Sequence, residues 1–392
     1  MRSVRVLPLL LALCFAAPVL AAGKPIKNKI KNLEVANLNI LHGFACDPGY
    51  PDDGDQCRVA ERMDRLIEEI AAAGCPDLVT LQENVTDLFV FRADFRPVGP
   101  LEDTTALIRA RLPLLGEICG FDYAVVFDPA AERPPQLAVL GRGVDEELIL
   151  SRYPVSRSET LELYSPQKPF FTRHVLFARV EHPEGPIDVF TTHLASGSDS
   201  GGEPCGVVVV PAPLSNPCPA QCDDGVDTVR ECQAKQMALF VEARHDVAGP
   251  AILSGDFNAE PGSAEYREFT ERGWIDSHLA AGNAECDPIS GEQCTSGRVD
   301  NDLSSLESPE LGQVERIDFI FVVPARPGAR CAGVIQRFAP HPQRPAATTG
   351  LFAGAPRFPC GPAPLPTCFV SDHSGTQLNL GCRSGTPRRT TR

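Results

Sequence analysis

Six short polar motifs occur in this chain, and four of them close a run of residues that reads as a β-strand. The motifs are Asn37-Leu-Asn39, Leu81-Gln-Glu83, Thr192-His193-Leu194, Gly255-Asp-Phe-Asn258, Arg316-Ile-Asp318 and Ser371-Asp372-His373. In α/β proteins, polar side chains from distant parts of the sequence meet in a cleft at the strand ends. Here that cleft would collect histidines, carboxylates and carboxamides. Such a set suits a hard divalent cation with oxygen ligands and proton transfer on an anionic substrate.

The first 22 residues have the pattern of a secretory signal peptide. Arg2 and Arg5 precede an apolar stretch from Val6 to Leu20, and small residues follow it. This stretch is too short, and too often broken by proline, for a helix that spans a membrane. The pattern predicts a secreted protein, either periplasmic or extracellular.

Cysteine usage agrees with export. Of the 15 cysteines, 14 follow the signal segment, and an even number in an exported chain predicts disulfide bonds. The alternative is a zinc site formed by Cys205, Cys218, Cys222 and Cys232. The spacing leaves the disulfide connectivity open.

The chain is strongly acidic. Its formal charge is −15, and without Arg2 and Arg5 of the signal segment 34 basic residues stand against 51 acidic ones, a charge of −17. A general basic surface that holds DNA is therefore excluded. Any contact with nucleic acid must be local and metal-assisted.

Hydrophobic periodicity predicts a β-α-β unit near the N-terminus. Residues Leu33–Ile40 alternate as a half-buried strand, Arg58–Ala73 have helical spacing, and Asp77–Glu83 read as a buried strand. Further strands are expected at Tyr123–Phe127, Glu147–Ser151, Val175–Val180, Ile187–Thr192, Ala251–Gly255, Ile317–Val323 and Thr376–Leu380, with helices at Thr228–Val247 and Ser263–Thr270. The fold class is therefore α/β or α+β, with layered sheets.

Motif order favours one domain over two. We expect a single domain over residues 23–382, followed by a basic tail at 383–392. Three inserts stand out by composition, near residues 197–227, 284–312 and 324–370. The first two carry cysteines and the third is rich in proline.

Two motifs place carboxylates where a cation would be needed. Glu83 follows an apolar strand, and a carboxylate there is costly unless it leaves the core or meets a cation. Asp256 and Asn258 emerge on either side of Phe257 after the buried run Ala-Ile-Leu-Ser. Either motif alone has an ordinary reading, a surface carboxylate or a turn.

Two histidines are candidates for acid/base chemistry. His193 ends the run Asp188–Thr192, and His373 stands beside Asp372. A single histidine is more often structural, but two at strand ends with acids within reach favour proton transfer. Asp318 points away from Ile317 and Phe319, towards the side where His373 could be its partner.

In order and spelling, these motifs resemble the endonuclease/exonuclease/phosphatase superfamily, the deoxyribonuclease-like group of nucleases, inositol-phosphate phosphatases and bacterial sphingomyelinases. Leu148-Ile-Leu-Ser-Arg-Tyr-Pro154 is similar to a strand-and-turn motif of that group, and the resemblance runs from about Leu33 to Leu380. It implies a four-layer sandwich of two packed mixed β-sheets flanked by helices. The long disulfide-rich inserts depart from the usual pattern.

The resemblance also implies roles. Glu83 would hold a divalent metal, Mg²⁺ or else Mn²⁺ or Ca²⁺, with Asn39 and Asp372. Asp256 and Asn258 would orient the attacking water and the phosphate. His373, paired with Asp318, would act as base or stabilise the transition state, and His193 would stabilise developing charge or protonate the leaving oxygen. Whether Asp256 or His373 takes the water proton is open, and Arg173 is a weaker candidate for a phosphate contact.

Charge within the third insert favours a polyanionic substrate. No Asp or Glu occurs between Asp318 and Asp372, whereas the stretch contains Arg326, Arg330, Arg337, Arg344, Arg357 and His341. We expect this stretch to form an anion-attracting surface beside the site. The function expected first is therefore a nuclease acting on DNA or RNA, with no stable protein partner implied. The alternatives are a sphingomyelinase-type phospholipase C acting on phospholipid and a non-catalytic binding module on the same fold.

Overall fold

The computed structural model describes residues 33–41, 58–91, 97–98, 103–127, 136–138, 141–166, 172–197, 200–207, 216–222, 225–247, 249–296, 303, 314–324, 338–339 and 370–380. The signal segment, the loop between Cys46 and Cys57, most of the third insert and the basic tail lie outside these residues. The predictions made for those segments therefore remain predictions.

Strands and α-helices follow one another in a mixed order along the described chain. The strands are β1 (Leu33–Asn39), β2 (Leu78–Phe91), β3 (Pro97–Val98), β4 (Ala124–Phe127), β5 (Gln136–Ala138), β6 (Gly141–Ser151), β7 (Val155–Glu162), β8 (His174–Val180), β9 (Ile187–His193), β10 (Ala251–Asp256), β11 (Ile275–Asp276), β12 (Asp318–Val323), β13 (Phe338–Ala339) and β14 (Thr376–Leu380). The helices are α1 (Val59–Ala72), α2 (Thr104–Cys119), α3 (Val229–Arg244), α4 (Ala264–Thr270) and α5 (Ser277–Ala280).

The strands form two mixed sheets. Sheet A has the order β13-β14-β1-β2-β6-β4, with β3 paired to β2 and β5 paired to β6. Sheet B has the order β11-β12-β10-β9-β8-β7. Each sheet has one parallel pair at its centre, β1 with β2 and β10 with β9, and its other pairs are antiparallel. The predicted β-α-β unit is therefore present, because α1 connects β1 to its parallel neighbour.

Three apolar layers hold the sandwich together. Between the sheets, aliphatic residues such as Val35 and Leu78 of sheet A pack with Val189 and Ile252 of sheet B. Outside sheet A, strand residues pack on α1 and α2. Outside sheet B, an aromatic cluster that includes Phe321 packs on α3 and α4. The order helix, sheet, sheet, helix confirms the four-layer prediction.

Local sequence explains the helix ends. Asp103 accepts a hydrogen bond from the Ala106 N–H and caps α2, and Thr228 and Ser263 cap α3 and α4 in the same way. Gly74 follows α1 with a φ of 90°, in the left-handed region that glycine adopts without strain.

Each strand and helix named in the sequence prediction exists in the structure. The elements that the prediction missed include α2, which contains Pro113 and therefore lacks a clear helical pattern, and β7, none of whose side chains is buried. None of the helices in the described part of the chain has both the length and the apolar character needed to cross a membrane.

Eight of the cysteines are joined in four disulfides among the described residues. The pairs are Cys75–Cys119, Cys205–Cys218, Cys222–Cys232 and Cys286–Cys294. The sulfur atoms of Cys205, Cys218 and Cys232 lie near one another, as a zinc site would require. However, each of them is already bonded to another sulfur, so the zinc alternative lacks free thiolates here. The first two inserts are thus tied to themselves or to α3 by disulfides.

Candidate active site at the strand ends

Strand register brings the sequence motifs to one end of the sandwich. In sheet B, Asp256 at the end of β10 pairs with His193 on one side and with Asp318 on the other. In sheet A, Asn39 at the end of β1 pairs with Gln82, next to Glu83. Residues that are far apart in sequence therefore meet as two adjoining groups, Glu83 with His193 and Asp256, and Asp256 with Asp318 and His373.

Glu83 leaves the regular strand at an irregularity in β2. The pairing of β2 with β6 shifts between Leu81 and Asn84, and Glu83 between them has a φ of 61°. A β-bulge of this kind redirects a side chain. The shift keeps the carboxylate at the cleft although its strand is buried, and Glu83 is 9% exposed.

Asn39 connects the carboxylates of the two sheets. Its Nδ2 donates to Glu83 Oε1 and to Asp256 Oδ2, both at 2.9 Å, while its Oδ1 accepts from the Leu41 N–H. In this arrangement Asn39 orients the two carboxylates. Its predicted part in holding a metal stays a prediction.

The Gly255–Asn258 motif folds back on itself. The Asn258 N–H donates to Asp256 Oδ1, and Asn258 Nδ2 donates to the Leu194 carbonyl, which fixes the turn after His193. Gly255 is required because a Cβ on it would lie 2.0 Å from the Thr192 carbonyl oxygen. These contacts leave Asp256 buried, with its carboxylate facing the cleft.

His373 and Asp318 form the predicted pair. His373 Nδ1 lies 2.8 Å from Asp318 Oδ2, and His373 Nε2 lies 3.7 Å from Asp256 Oδ2. Asp372 accepts a hydrogen bond from Ser371 and is close enough to raise the pKa of His373. The imidazole is therefore held between two carboxylates.

The charges around His373 set its protonation. Burial alone would lower the pKa of His373, but the carboxylates of Asp318 and Asp256 outweigh this effect and raise that pKa well above its usual value. For Asp256, burial is the largest effect and the Asp318 charge adds to it, so that the pKa rises to about 7 despite the opposing effects of His373 and Asn39.

His193 has a cation on one side of its ring and carboxylates on the other. Arg173 Nη1 lies 2.7 Å from His193 Nδ1, while His193 Nε2 is 3.5 Å from Asp256 Oδ2 and 3.9 Å from Glu83 Oε1. The backbone N–H of His193 donates to Glu147 Oε1. Arg173, predicted as a phosphate contact, thus contacts a candidate catalytic histidine.

A buried layer of polar side chains connects the two sheets next to the site. Asn37 Oδ1 accepts hydrogen bonds from Thr80 Oγ1 and Gln82 Nε2, and Gln82 and Thr80 continue to Thr191 and Ser254 of the other sheet. These bonds join the two sheets directly beneath the cleft. Asn37 is therefore part of the support for the site.

Sequence reasoning missed three residues that build the site. Arg62 of α1 is fully buried, and its guanidinium donates to the carbonyls of Ile40, Leu41 and Val370, which adjoin the Asn39 and Asp372 motifs. From the second insert, Thr295 Oγ1 accepts the Asp318 N–H, and Ser296 Oγ lies 3.4 Å from His373 Nε2.

The sequence offered one signal for Arg62. It is a charged residue on the apolar face of the predicted helix α1. Residues 295–296 gave no such signal, because the second insert showed only its cysteines and an acidic composition.

The expected cationic surface beside the site lies almost entirely outside the described residues, but the ends of its segment are described. β12 runs antiparallel to β10, so the chain leaves Asp318 at the cleft and reaches Val323 about 17 Å away at the far end of the sheet. Phe338 then pairs with Leu380, which is also opposite Leu33 at the far end of sheet A. The segment therefore begins at the end of the sandwich remote from the cleft, and Val370 at its other end directly precedes the site residues of the Ser371–His373 motif. Residues 325–337 and 340–369 lie outside the described part of the chain, so the anion-attracting surface stays a prediction.

The donor set fits a hard divalent cation. The carboxylates of Glu83, Asp256 and Asp318 are buried, and burial together with the charge of Asp318 raises the pKa of Asp256. A cation that binds oxygen ligands would relieve the repulsion between Asp256 and Asp318. The observed cluster is thus consistent with the predicted metal.

Comparison with models of known protein families gives a match over most of the chain. A sequence model of the Endonuclease/Exonuclease/phosphatase family matches residues 36–373. No curated protein sequence matches the chain.

Several solved structures are similar to this one at low sequence identity. An endonuclease/exonuclease/phosphatase family protein from Leptotrichia buccalis is 14% identical, with 88% of this chain and 98% of that chain covered and a TM-score of 0.49. An endonuclease/exonuclease/phosphatase from Bacteroides vulgatus is 17% identical, with 90% and 100% covered and a TM-score of 0.48. The human Nocturnin catalytic domain with bound sulfate anion is 14% identical, with 92% and 98% covered and a TM-score of 0.48.

Proposed function

The chain belongs to the endonuclease/exonuclease/phosphatase family, and from this premise we propose that it is a secreted, Mg²⁺-dependent nuclease that hydrolyses phosphodiester bonds of DNA or RNA. Enzymes of this family are divalent-metal-dependent hydrolases of phosphodiester bonds. The observation that carries the proposal is the convergence of Glu83, Asp256, Asp318 and the two histidines in one buried cluster.

Glu83, Asn39 and Asp372 are the residues that we propose to hold the metal. A divalent ion bound there supplies charge neutralisation at the phosphate. Asn39 contributes further by donating hydrogen bonds to the Glu83 and Asp256 carboxylates, which fixes their mutual orientation. Of these three ligand candidates, only Glu83 has a left-handed backbone conformation, with a φ of 61°.

Asp256 is the proposed general base. A base works best when its pKa is near the operating pH, and the pKa of Asp256 is about 7. His373 is a poor candidate for the same task, because its raised pKa keeps it protonated at neutral pH. The structure thus favours Asp256 in the choice that the sequence left open, and Asn258 holds its Oδ1 in place.

His373 is proposed to stabilise negative charge on the phosphate. Asp318 accepts the hydrogen bond from its Nδ1, which leaves Nε2 as the donor that faces the cleft. A charged donor held in a buried site stabilises an oxyanion more strongly than it would in water. Ser296 lies near the same nitrogen and belongs to the same wall of the site.

The substrate class is supported by sequence and by the position of the aromatic residues. The stretch between Asp318 and Asp372 has no Asp or Glu and contains Arg326, Arg330, Arg337, His341, Arg344 and Arg357. A lipid-facing enzyme would be expected to expose aromatic residues, whereas the single tryptophan, Trp274, is buried in the aromatic cluster of sheet B. Both facts favour a nucleic acid over a membrane lipid.

Export is proposed on two grounds, the signal-like N-terminus and the disulfides. Disulfides persist in oxidising compartments and are rare in the cytosol. The four described pairs are therefore typical of a periplasmic or extracellular protein.

A substrate panel tests the proposal. Purified protein is offered plasmid DNA, single-stranded RNA, sphingomyelin vesicles and bis(p-nitrophenyl) phosphate with Mg²⁺, and Asp256→Asn serves as the control for contaminating hydrolases. We expect cleavage of DNA or RNA by the wild type and none by the variant. Hydrolysis of sphingomyelin alone would assign the lipid function, and the absence of any turnover would support the non-catalytic alternative.

A further inference from the structure

The contact between Arg173 and His193 determines which nitrogen of His193 carries the proton. A guanidinium has five N–H donors and no acceptor. Since Arg173 Nη1 lies 2.7 Å from His193 Nδ1, Nδ1 must accept that hydrogen bond through its lone pair. The ring proton of a neutral imidazole is then on Nε2.

The opposite side of the ring agrees with this tautomer. His193 Nε2 faces two acceptors, Asp256 Oδ2 at 3.5 Å and Glu83 Oε1 at 3.9 Å. The backbone N–H of His193 is fixed separately by Glu147 Oε1. The ring therefore lies between one cationic donor and the carboxylates of the cleft, with donor and acceptor sides that cannot be exchanged without loss of the Arg173 bond.

We infer that Arg173 is a positioning residue that fixes His193 as an Nε2–H hydrogen-bond donor facing the cleft. This deepens the proposed function and rests on it, because the donor would act on the phosphate. Of the two roles that the sequence left open for His193, stabilisation of developing charge follows, since a neutral imidazole that gave its Nε2 proton to the leaving oxygen would become an imidazolate anion. It also follows that His193 is not a metal ligand, because Nε2 has no free lone pair.

The kinetics of Arg173 variants distinguish a positioning role from direct binding of the substrate phosphate. If Arg173 bound the substrate phosphate, its loss would weaken substrate binding and raise KM. If it acts only through His193, its loss should lower kcat, should leave KM little changed, and should have no effect once His193 is absent. Arg173→Lys, which keeps a donor-only cation, should recover part of the activity, whereas Arg173→Met removes the donor at similar length.

Nuclear magnetic resonance tests the tautomer without any assay of activity. The mature protein is labelled with ¹⁵N in its histidine rings, and the signals of His193 are identified as those missing from His193→Gln. In the wild type we expect an unprotonated, acceptor-type Nδ1 and a protonated Nε2. In Arg173→Met the two nitrogen shifts should move towards each other, as the tautomers mix. A protonated Nδ1 in the wild type would overturn the inference.

Kinetics on bis(p-nitrophenyl) phosphate tests the consequence. We expect Arg173→Met to lower kcat about 10-fold to 100-fold, the usual scale for a residue that orients a functional side chain. The same substitution made in His193→Ala should cause no further loss. A raised KM, or a full loss that persists in the His193→Ala background, would instead assign Arg173 to the phosphate. If the wild type hydrolyses nothing, the proposed function fails while the resonance experiment still decides the tautomer.

Discussion

Two non-glycine residues of the site have left-handed backbones. Glu83 and Asn258 have φ angles of 61° and 48°. Asparagine tolerates this region, but for glutamate the conformation costs about 1–3 kcal/mol. The rest of β2 and its pairing with β6 must offset that cost, and what they maintain is a carboxylate that faces the cleft. The backbone strain at Glu83 is therefore independent support for a functional role.

At the same scale, the His373–Asp318 pair gives a direct prediction. His373→Ala should lower kcat by about 100-fold or more, the usual scale for a group that takes part in proton transfer or charge stabilisation. Asp318→Asn should have a similar effect, because it removes the carboxylate that holds Nδ1. Kinetics on a small phosphodiester provides the measurement, and thermal unfolding of each variant provides the control for folding.

Because the two residues act as one unit, the double variant should be little worse than either single variant. Losses that simply multiply would show that Asp318 supports the fold rather than His373.

The identity of the site residues could be predicted from sequence, whereas their contacts could not. Polar residues after buried strands indicated Glu83, His193 and Asp256. The contact of Arg173 with His193 depends on side-chain geometry between the residue that precedes β8 and the end of β9, for which the sequence contains no periodic signal. For the same reason Asn39, expected as a metal ligand, is found donating to two carboxylates.

At the scale of elements, strand pairing determines the geometry of the site. The register of β10 with β9 and β12 places Asp256 between His193 and Asp318, and a shift of one residue would turn Asp256 to the other face of the sheet. Strands with strong apolar patterns were predictable in position. Pairing order was not, because it depends on contacts between segments that are up to hundreds of residues apart.

Arg62 of α1 links this element to two site motifs. Arg62→Met would leave the carbonyls of Ile40, Leu41 and Val370 without their donor in a buried place, at a cost of about 1–3 kcal/mol for each group that stays unsatisfied. We expect the free energy of unfolding, measured in urea, to fall by about 2–5 kcal/mol. Metal affinity should fall as well, because the Asn39 and Asp372 segments lose a common anchor.

Arg65 on the same helix is a matched control. Its side chain pairs with Glu68 at the surface, and Arg65→Met should change stability little. Equal effects of the two substitutions would contradict the anchoring role of Arg62.

At the scale of the whole molecule, the third insert contributes five arginines and no acidic residue between Asp318 and Asp372. These arginines are Arg326, Arg330, Arg337, Arg344 and Arg357. Neutralising all five together should raise KM for DNA or RNA and flatten its dependence on salt, since fewer phosphate contacts release fewer counterions.

Hydrolysis of a small phosphodiester is the control. It needs only the metal and the site residues, so the five substitutions should barely change it. Equal losses on large and small substrates would mean that the insert supports the fold, and would contradict its proposed role in binding the polymer.

Composition and hydrophobic pattern predicted the class of this molecule but not its details. The even cysteine count and the apolar runs indicated a disulfide-bonded α/β or α+β fold with layered sheets, whereas the four-layer sandwich was implied by the resemblance of the motifs to a family. The contribution of Thr295 and Ser296 to the site could not be predicted from an insert whose visible features were its cysteines and its acidity.

The most direct test of the account is the metal dependence of hydrolysis in the wild type and in Glu83→Gln. After exhaustive chelation, the wild type should not hydrolyse DNA, RNA or a small diester, and added Mg²⁺ should restore the rate until it saturates. Glu83→Gln should need a much higher Mg²⁺ concentration for the same rate, while the protein remains folded. Full activity of the chelated wild type, or an unchanged Mg²⁺ requirement in Glu83→Gln, would contradict the account.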